Sequence, residues 1–353
     1  MRKLTIKKRY IILAFLLFIV VGSIVAFELL FGAQVRAAMS IEKITDDFYS
    51  MEYKGNYGFN VFLKQGGADS DKELLEYITE ELYHGIYDVD MENFNFGCST
   101  LSVMNEEGEA LLGRNFDYPD CKSMVVTTRP KNGYDSISTC DLKFLGIGSR
   151  WDETKLLDKL IAVASVYLPV DGMNEKGVCI AVLTISDGST TNQNTDKPDI
   201  TTTTAIRLVL DYAANVDEAI ALLEQYDMHA SLNKQFKFTI SDASGKTVNV
   251  EYINNEMQVT EAKYASNFYQ TPGDYYGIGI SQPDGRYEVL RKAYEECGGV
   301  MDNDKLMKTM EMASQKYFHH NHTQWTAVFH TKELKAEYCH HENFEVKYEF
   351  SLK

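Results

Sequence analysis

The pattern of apolar and polar positions divides the chain into three stretches. In the first, residues 10–27 (YIILAFLLFIVVGSIVAF) carry no charge, and LLFGA extends the run past Glu28. This is near the length of a membrane span and longer than the core of an ordinary signal peptide. Arg2, Lys3, Lys7, Lys8 and Arg9 precede it. Basic flanks stay in the cytoplasm, so the pattern predicts an uncleaved anchor in the cell membrane, single-pass, with everything after it outside the cytoplasm. Secretion after signal cleavage near Ala37 and Ala38 is the alternative. Residues from about Gln34 read as a linker, so residues 1–38 form a basic tail, an anchor and a linker.

The second stretch, residues 39–97, contains DSDKELLEYITEELYHGIYDVD. Its apolar positions Leu74, Leu75, Ile78 and Leu82 recur at helical spacing, and Asp69 or Ser70 stands where a cap is needed. The apolar face of that helix must pack on something. Residues 39–97 therefore read as an ordered leader segment.

From Cys98 the period changes to that of strands. STLSV and ALLGRNF flank the turn NEEGE, a hairpin signature. Residues 160–186 read as two apolar strands around a turn at 174–177. Two helices follow over 201–214 and 215–226, the second with Asn215 as N-cap. Next come the strands FKFTISD, TVNVEYIN and EMQVTEA, the helices GRYEVLRKAYEEC and DNDKLMKTMEMASQKY, and the strands QWTAVFHT, LKAEYCHH and FEVKYEFS. This order suits antiparallel sheets covered by helices, an α+β architecture. It disfavours a doubly wound parallel sheet, and no glycine-rich phosphate loop follows a strand.

The formal net charge is −16. Removing the five positives that precede the apolar run leaves about −21 for the rest, which excludes nucleic acid and anionic lipid as partners of the main body. The six cysteines, Cys98, Cys121, Cys140, Cys179, Cys297 and Cys339, form no CxxC pair, so neither a zinc ribbon nor a thioredoxin motif is present. If Cys98 is a working thiol, the odd number remaining argues against a full disulfide framework.

The hairpin carries the candidate chemistry. With its turn centred on Glu106 and Glu107, Cys98 faces Asn115, Arg114 lies beside it, and Asp117 is next on the same face. A one-residue slip would set Arg114 opposite instead. Arg114 favours a thiolate. A cysteine nucleophile also needs a base, and an α-amino group with a pKa near 8 can serve. That amine exists only if the peptide bond between Gly97 and Cys98 is cut, and Asp117 would then hold the ammonium. The plain alternative is an Arg114–Asp117 pair satisfying itself at a strand end.

CSTLSVMNEEGEALLGRNFDYP closely resembles the start of the cysteine N-terminal-nucleophile (Ntn) hydrolases of the choloylglycine hydrolase and acid ceramidase type. The resemblance implies an αββα sandwich of two antiparallel sheets, and hydrolysis of a linear amide in a small-molecule N-acyl substrate through a thioester. It implies no metal and no cofactor. By the same resemblance Cys98 is the nucleophile, its amine the base, and Arg114 and Asp117 complete its surroundings. GMNEKGVCIAVL resembles the segment that leads to a catalytic Asn in the bile-salt branch. That position here is Thr184, a departure, and Asn174 precedes it; both are candidate oxyanion or substrate contacts. ASNFYQTPGDYYG implies Asn267 as an oxyanion donor. PDGRYEVLRKAY implies Arg286, with Arg291 as rival. The ceramidase branch keeps its severed segment as a small subunit, so residues 39–97 are expected to stay packed on a catalytic domain of residues 98–353.

Two other readings are weighed. One is a membrane-anchored, non-catalytic binding module on the same fold. The other is a metal-dependent hydrolase using the C-terminal histidines His319, His320, His322, His330, His340 and His341. HHNHT lacks the helical spacing of an HExxH site, which favours surface histidines. Asn321 begins a glycosylation sequon that matters only if the host glycosylates.

Overall fold

The computed structural model describes residues 2–85, 97–185, 189–279, 285–316 and 321–353. A single helix, α1 (Arg2–Met39), opens the chain. Its segment Tyr10–Met39, with mean hydropathy 2.9, is long and apolar enough to cross a membrane. Phe15, Leu16, Leu17 and Phe18 are all exposed. The expected linker is absent. The helix continues through Gln34 to Met39 and buries Ala37 and Ala38, whose small side chains allow close packing on the strand that follows.

The segment after α1 is part of the globule. It comprises β1 (Glu42–Thr45), β2 (Phe48–Lys54), α2 (Phe59–Lys64) and α3 (Asp71–Tyr83). In α3 the Ser70 hydroxyl accepts from the Glu73 N–H, and Leu74, Leu75, Ile78 and Leu82 are buried, as their spacing predicts. Phe48, Met51, Phe59 and Phe62 are also in the core. Each such side chain contributes about 2 kcal/mol by leaving water. The Tyr57 hydroxyl donates to Asp211 (2.6 Å), tying this segment to a buried ion pair between Asp211 and Arg207 (2.9 Å).

The hairpin follows as β3 (Gly97–Met104) and β4 (Ala110–Tyr118), then β5 (Ser123–Arg129), β6 (Ser136–Asp141) and the helix α4 (Leu156–Ala162). Of the two apolar strands expected over 160–186, the second is β8 (Cys179–Ile185), while the first is corrected: α4 and a 3-10 turn (Val163–Tyr167) take up most of its apolar run, and only β7 (Asp171–Asn174) is strand. A short β9 (Asp199–Thr201) leads into α5 (Thr202–Tyr212) and α6 (Val216–Leu223), where Asn215 accepts from Glu218 N–H. After β10 (Asp227–His229) come β11 (Gln235–Ser241), β12 (Thr247–Ile253), β13 (Glu256–Glu261) and β14 (Tyr264–Ala265). The chain ends with α7 (Gly285–Cys297), α8 (Asn303–Met312), β15 (His322–His330), β16 (Lys335–His340) and β17 (Asn343–Ser351).

Nine strands form one sheet, ordered β1-β2-β5-β6-β7-β8-β11-β12-β13, and six form another, β14-β3-β4-β15-β16-β17. The sheets face each other, α5 and α6 pack on the outside of the first, and α7 and α8 on the outside of the second. The sandwich is antiparallel with one exception in its two main sheets: β2 runs parallel to β5, from Phe48 beside Ser123 to Lys54 beside Arg129. The chain between these strands is long enough for the crossover that a parallel pair requires. Alternation along β3 sets its two faces. Leu101 and Val103 pack with Leu306 and Met310 under the helices, while Thr100 meets Thr239 of β11 (3.1 Å) between the sheets.

Candidate active site

The β3–β4 turn spans five residues, because Met104 pairs with Ala110. Gly108 closes it with φ +72°, a left-handed conformation that costs glycine nothing. One residue more than the turn centred on Glu106 and Glu107 changes the register. Cys98 pairs with Phe116, Ser99 with Asn115 and Thr100 with Arg114. The expected pairing of Cys98 with Asn115 is therefore corrected. Arg114 lies diagonally from Cys98 on the inter-sheet face, and Asp117, paired with Gly97, points to the helix side.

Arg114 is completely buried. Its Nε donates to Asp171 Oδ2 on β7 (3.2 Å), and its Nη1 to the Asn115 carbonyl (2.6 Å). Trp325 Nε1 donates to the same Asp171 oxygen (3.0 Å), and its indole stacks on Phe116 with ring centroids 4.1 Å apart. Arg114 Nη2 has no hydrogen-bond partner, and the guanidinium stands beside the Cys98 thiol. Burial pushes that thiol up to about 11, and the attraction of Arg114 offsets only part of the rise. In the uncut chain Cys98 is thus a neutral thiol at neutral pH, despite the arginine.

On the other face, Arg286 reaches from the first turn of α7 and pairs its Nη1 with Asp117 Oδ2, while Thr323 donates to Asp117 Oδ1 (2.6 Å). A Cβ at position 97 would lie 3.1 Å from Arg286 Nη1 and 3.2 Å from Asp117 Oδ2, so only glycine fits there without disturbing the pair.

Asn267 joins the two faces. Its Oδ1 accepts from the Cys98 N–H (2.7 Å) and from Arg286 Nη2 (3.0 Å), and its Nδ2 donates to the Thr184 carbonyl (2.8 Å). Two backbone partners of opposite kind set the orientation of the amide. Asn267 thus presents an acceptor to the Cys98 nitrogen, and the Thr184 carbonyl takes one of its two Nδ2 hydrogens, which leaves the other for the expected oxyanion role. Thr184, on β8, has a buried hydroxyl with no hydrogen-bond partner.

Asn174 is not part of this cluster. Its Nδ2 donates to the Ala213 carbonyl (2.8 Å), and its Oδ1 accepts from Lys176 and Val178 N–H (3.0 and 3.1 Å). It holds the β7–β8 turn against the end of α5. Arg291 is engaged on the helix surface with Glu288 and Glu295, which leaves Arg286 as the arginine of the site. Asp171, Thr323 and Trp325 were missed from sequence. An aspartate inside the apolar run YLPVDGMN was the available signal for Asp171.

Among the described histidines, three are neighbours, with ring centroids 3.9 Å apart for His340 and His341 and 5.5 Å apart for His322 and His341, but they are engaged with other partners. His322 binds Asp120 (2.7 Å) and Glu342 (3.1 Å), and His340 stacks on His341 and on Phe48. His330 lies at the opposite end of β15. His319 and His320 fall outside the described residues, as do residues 86–96 just before Gly97.

Residues 98–268 match the family described as linear amide C–N hydrolases, choloylglycine hydrolase family. No curated protein sequence matches the chain. Among solved structures, a mutant of the conjugated bile acid hydrolase from Clostridium perfringens has 16% identity and a TM-score of 0.54, covering 72% of this chain and 92% of its own. A second variant of that enzyme has 14% identity and a TM-score of 0.52, with the same coverage. The penicillin V acylase from Agrobacterium tumefaciens has 16% identity and a TM-score of 0.50, covering 69% of this chain and 83% of its own. These likenesses carry the αββα fold, and the match over residues 98–268, just under half of the chain, carries the chemistry: that segment is of the type of the linear amide C–N hydrolases, which act on carbon–nitrogen bonds other than peptide bonds.

Proposed function

We propose that Cys98 is the nucleophile of this hydrolase, and that it is released by hydrolysis of the peptide bond between Gly97 and Cys98. The observation that carries the reading is the 2.7 Å contact between the Cys98 nitrogen and Asn267 Oδ1. The nitrogen that would become the catalytic amine is already held beside its own thiol. Water adds across the Gly97–Cys98 bond, leaving a carboxylate on Gly97 and an amine on Cys98.

That amine then takes the thiol proton. The sulfur attacks the substrate carbonyl, and the resulting oxyanion needs a preorganised donor, worth about 3 kcal/mol. The unpartnered Thr184 hydroxyl is the candidate, together with a backbone N–H. The ammonium returns its proton to the departing amine, leaving a thioester that a second water hydrolyses. Arg114 is held beside the sulfur by Asp171. Asp117 and Arg286 hold the Asn267 end of the site, and Asp117 is within reach of the new ammonium through the Gly97 position it faces.

In this reading residues 1–38 are tail and anchor, residues 39–97 a leader that stays bound, and residues 98–353 the hydrolase domain outside the cytoplasm. The core positions of Phe48, Phe59 and Phe62 support retention of the leader. Tethering to a membrane favours lipid-like N-acyl amides; a substrate panel without preference for long acyl chains would refute that part.

Intact mass and N-terminal sequencing of the full chain, purified in detergent, test the whole reading. Two co-purifying fragments, the second beginning at Cys98, are expected. A chain that stays uncut yet hydrolyses N-acyl amides would overturn the assignment of the base.

A further inference from the structure

At the end of the six-stranded sheet away from Cys98, two turns bring three ligand-type side chains together. Glu109 belongs to the β3–β4 turn; His330 ends β15 and Glu333 lies in the β15–β16 turn. Six rungs of the β3–β4 ladder separate this end from the Cys98 pair, about 20 Å at the usual rise. His330 Nδ1 lies 3.6 Å from Glu109 Oε2 and 3.9 Å from Glu333 Oε2. One ligand atom from each residue falls within 4.8 Å of the others.

We infer that Glu109, His330 and Glu333 form a binding site for a first-row divalent cation of the Zn²⁺ class, joining the two turns. The second observation behind this is a buried atom with nothing to bind. The His330 side chain is only 6% exposed, and its Nδ1 has no hydrogen-bond partner although it is aimed between the two carboxylates. His330 Nε2 lies 3.2 Å from Asn303 Oδ1 and 3.6 Å from Glu337 Oε1, both acceptors, so the tautomer with its proton on Nε2 would turn the Nδ1 lone pair to the site. Metal-binding imidazoles are oriented in this way by a partner on the other nitrogen.

Glu109 is also preset. Its Oε1 accepts from the Lys332 and Glu333 N–H groups, both at 2.8 Å, while Asn105 Nδ2 is 3.4 Å from Oε2. Metal–ligand bonds of about 2.1 Å in a tetrahedral site put ligand atoms about 3.4 Å apart, so the observed separations need to close only modestly. One imidazole and two carboxylates suit zinc above manganese and ferrous iron, with copper the competitor of higher intrinsic affinity. Lys335 is the competitor, with its Nζ 2.9 Å from Glu333 Oε2, but it also reaches Glu337 (3.4 Å) and Glu349 (3.2 Å) and can keep those partners. The site lies far from the thiol, so its role is to fasten the base of the sheet that carries Cys98.

The test is zinc binding to the chelator-stripped full chain in detergent, read as zinc per chain by mass spectrometry and as a shift in melting temperature. One zinc per chain and a higher melting temperature are expected. Cys98→Ala should bind as the unaltered chain does, while His330→Ala and Glu109→Gln should lose affinity about tenfold or more. Glu333→Gln alters a side chain that is 56% exposed, and should weaken binding in the same direction. Absence of stoichiometric zinc, or Glu333→Gln and His330→Ala chains that bind zinc as tightly as the unaltered chain, would overturn the site and leave an ordinary ion pair.

Discussion

The Cys98 N–H points at the Asn267 side-chain oxygen, 2.7 Å away, and the same oxygen takes a hydrogen bond from Arg286 at 3.0 Å. A backbone nitrogen on one strand is thus placed by a side chain from another segment, which a helix-borne arginine steadies in turn. Removing the oxygen should misplace the amine more than the substrate. Asn267→Ala is expected to lower kcat about a hundredfold, with KM little changed. A variant that instead raised KM at unchanged kcat would assign Asn267 to substrate binding.

Gly97 tests the link between local space and chain cutting. A side chain there would press on Arg286 and Asp117 at 3.1–3.2 Å. Gly97→Val should leave the chain as one polypeptide on a denaturing gel, with its melting temperature only modestly lowered. Efficient cutting of this variant would mean that the Arg286–Asp117 pair plays no part in it.

Asp171 is the buried counter-charge of Arg114. Asp171→Asn leaves a buried guanidinium without it, which costs about 3–5 kcal/mol. Trp325→Phe keeps an aromatic ring on Phe116 but loses the N–H to Asp171, a cost of about 1 kcal/mol. Chemical denaturation should rank the two in that order. The Asp171→Asn chain should also alkylate more slowly at Cys98, because a displaced arginine no longer favours the thiolate.

His340 gives a pH dependence. Burial lowers its pKa to about 3, and its neighbour His341 is also lowered. The folded-state value lies below the unfolded one, so the contribution is complete above about 6.5 and fades as pH falls toward 3. At the acid end the loss amounts to a few kcal/mol. The ring stacks on Phe48 at 4.8 Å, so acid should loosen β2 in particular. Hydrogen exchange of residues 48–54 should accelerate below pH 6, and His340→Phe should flatten that rise. An unchanged slope in His340→Phe would place the acid sensitivity elsewhere.

Much of this architecture was legible along the chain. Ser70 and Asn215 announce their helices because capping is a local interaction, and the order of strands and helices implied the two covered sheets. The register of the key hairpin was not legible. It depends on whether the turn holds four residues or five, and Gly108 settles that through a backbone angle that no pattern of apolar positions records. Asn174 and Asn267 look alike as residues near glycine-rich turns. Only their partners, two helix-end carbonyls for one and the Cys98 nitrogen for the other, tell a scaffold amide from a site amide. Asp171 escaped notice because its value lies in a guanidinium 57 positions away.

The parallel seating of β2 on β5 has a consequence for how such an enzyme is held. If the chain is severed after Gly97, no covalent bond joins the thiol-bearing fragment to the helix in the membrane. Its attachment then rests on a strand ladder and a few buried rings, so the time it remains at the surface is set by how fast the sheet opens. A cut enzyme of this design is tethered by a lifetime, and any condition that speeds the parting of β2 from β5 would also set it adrift.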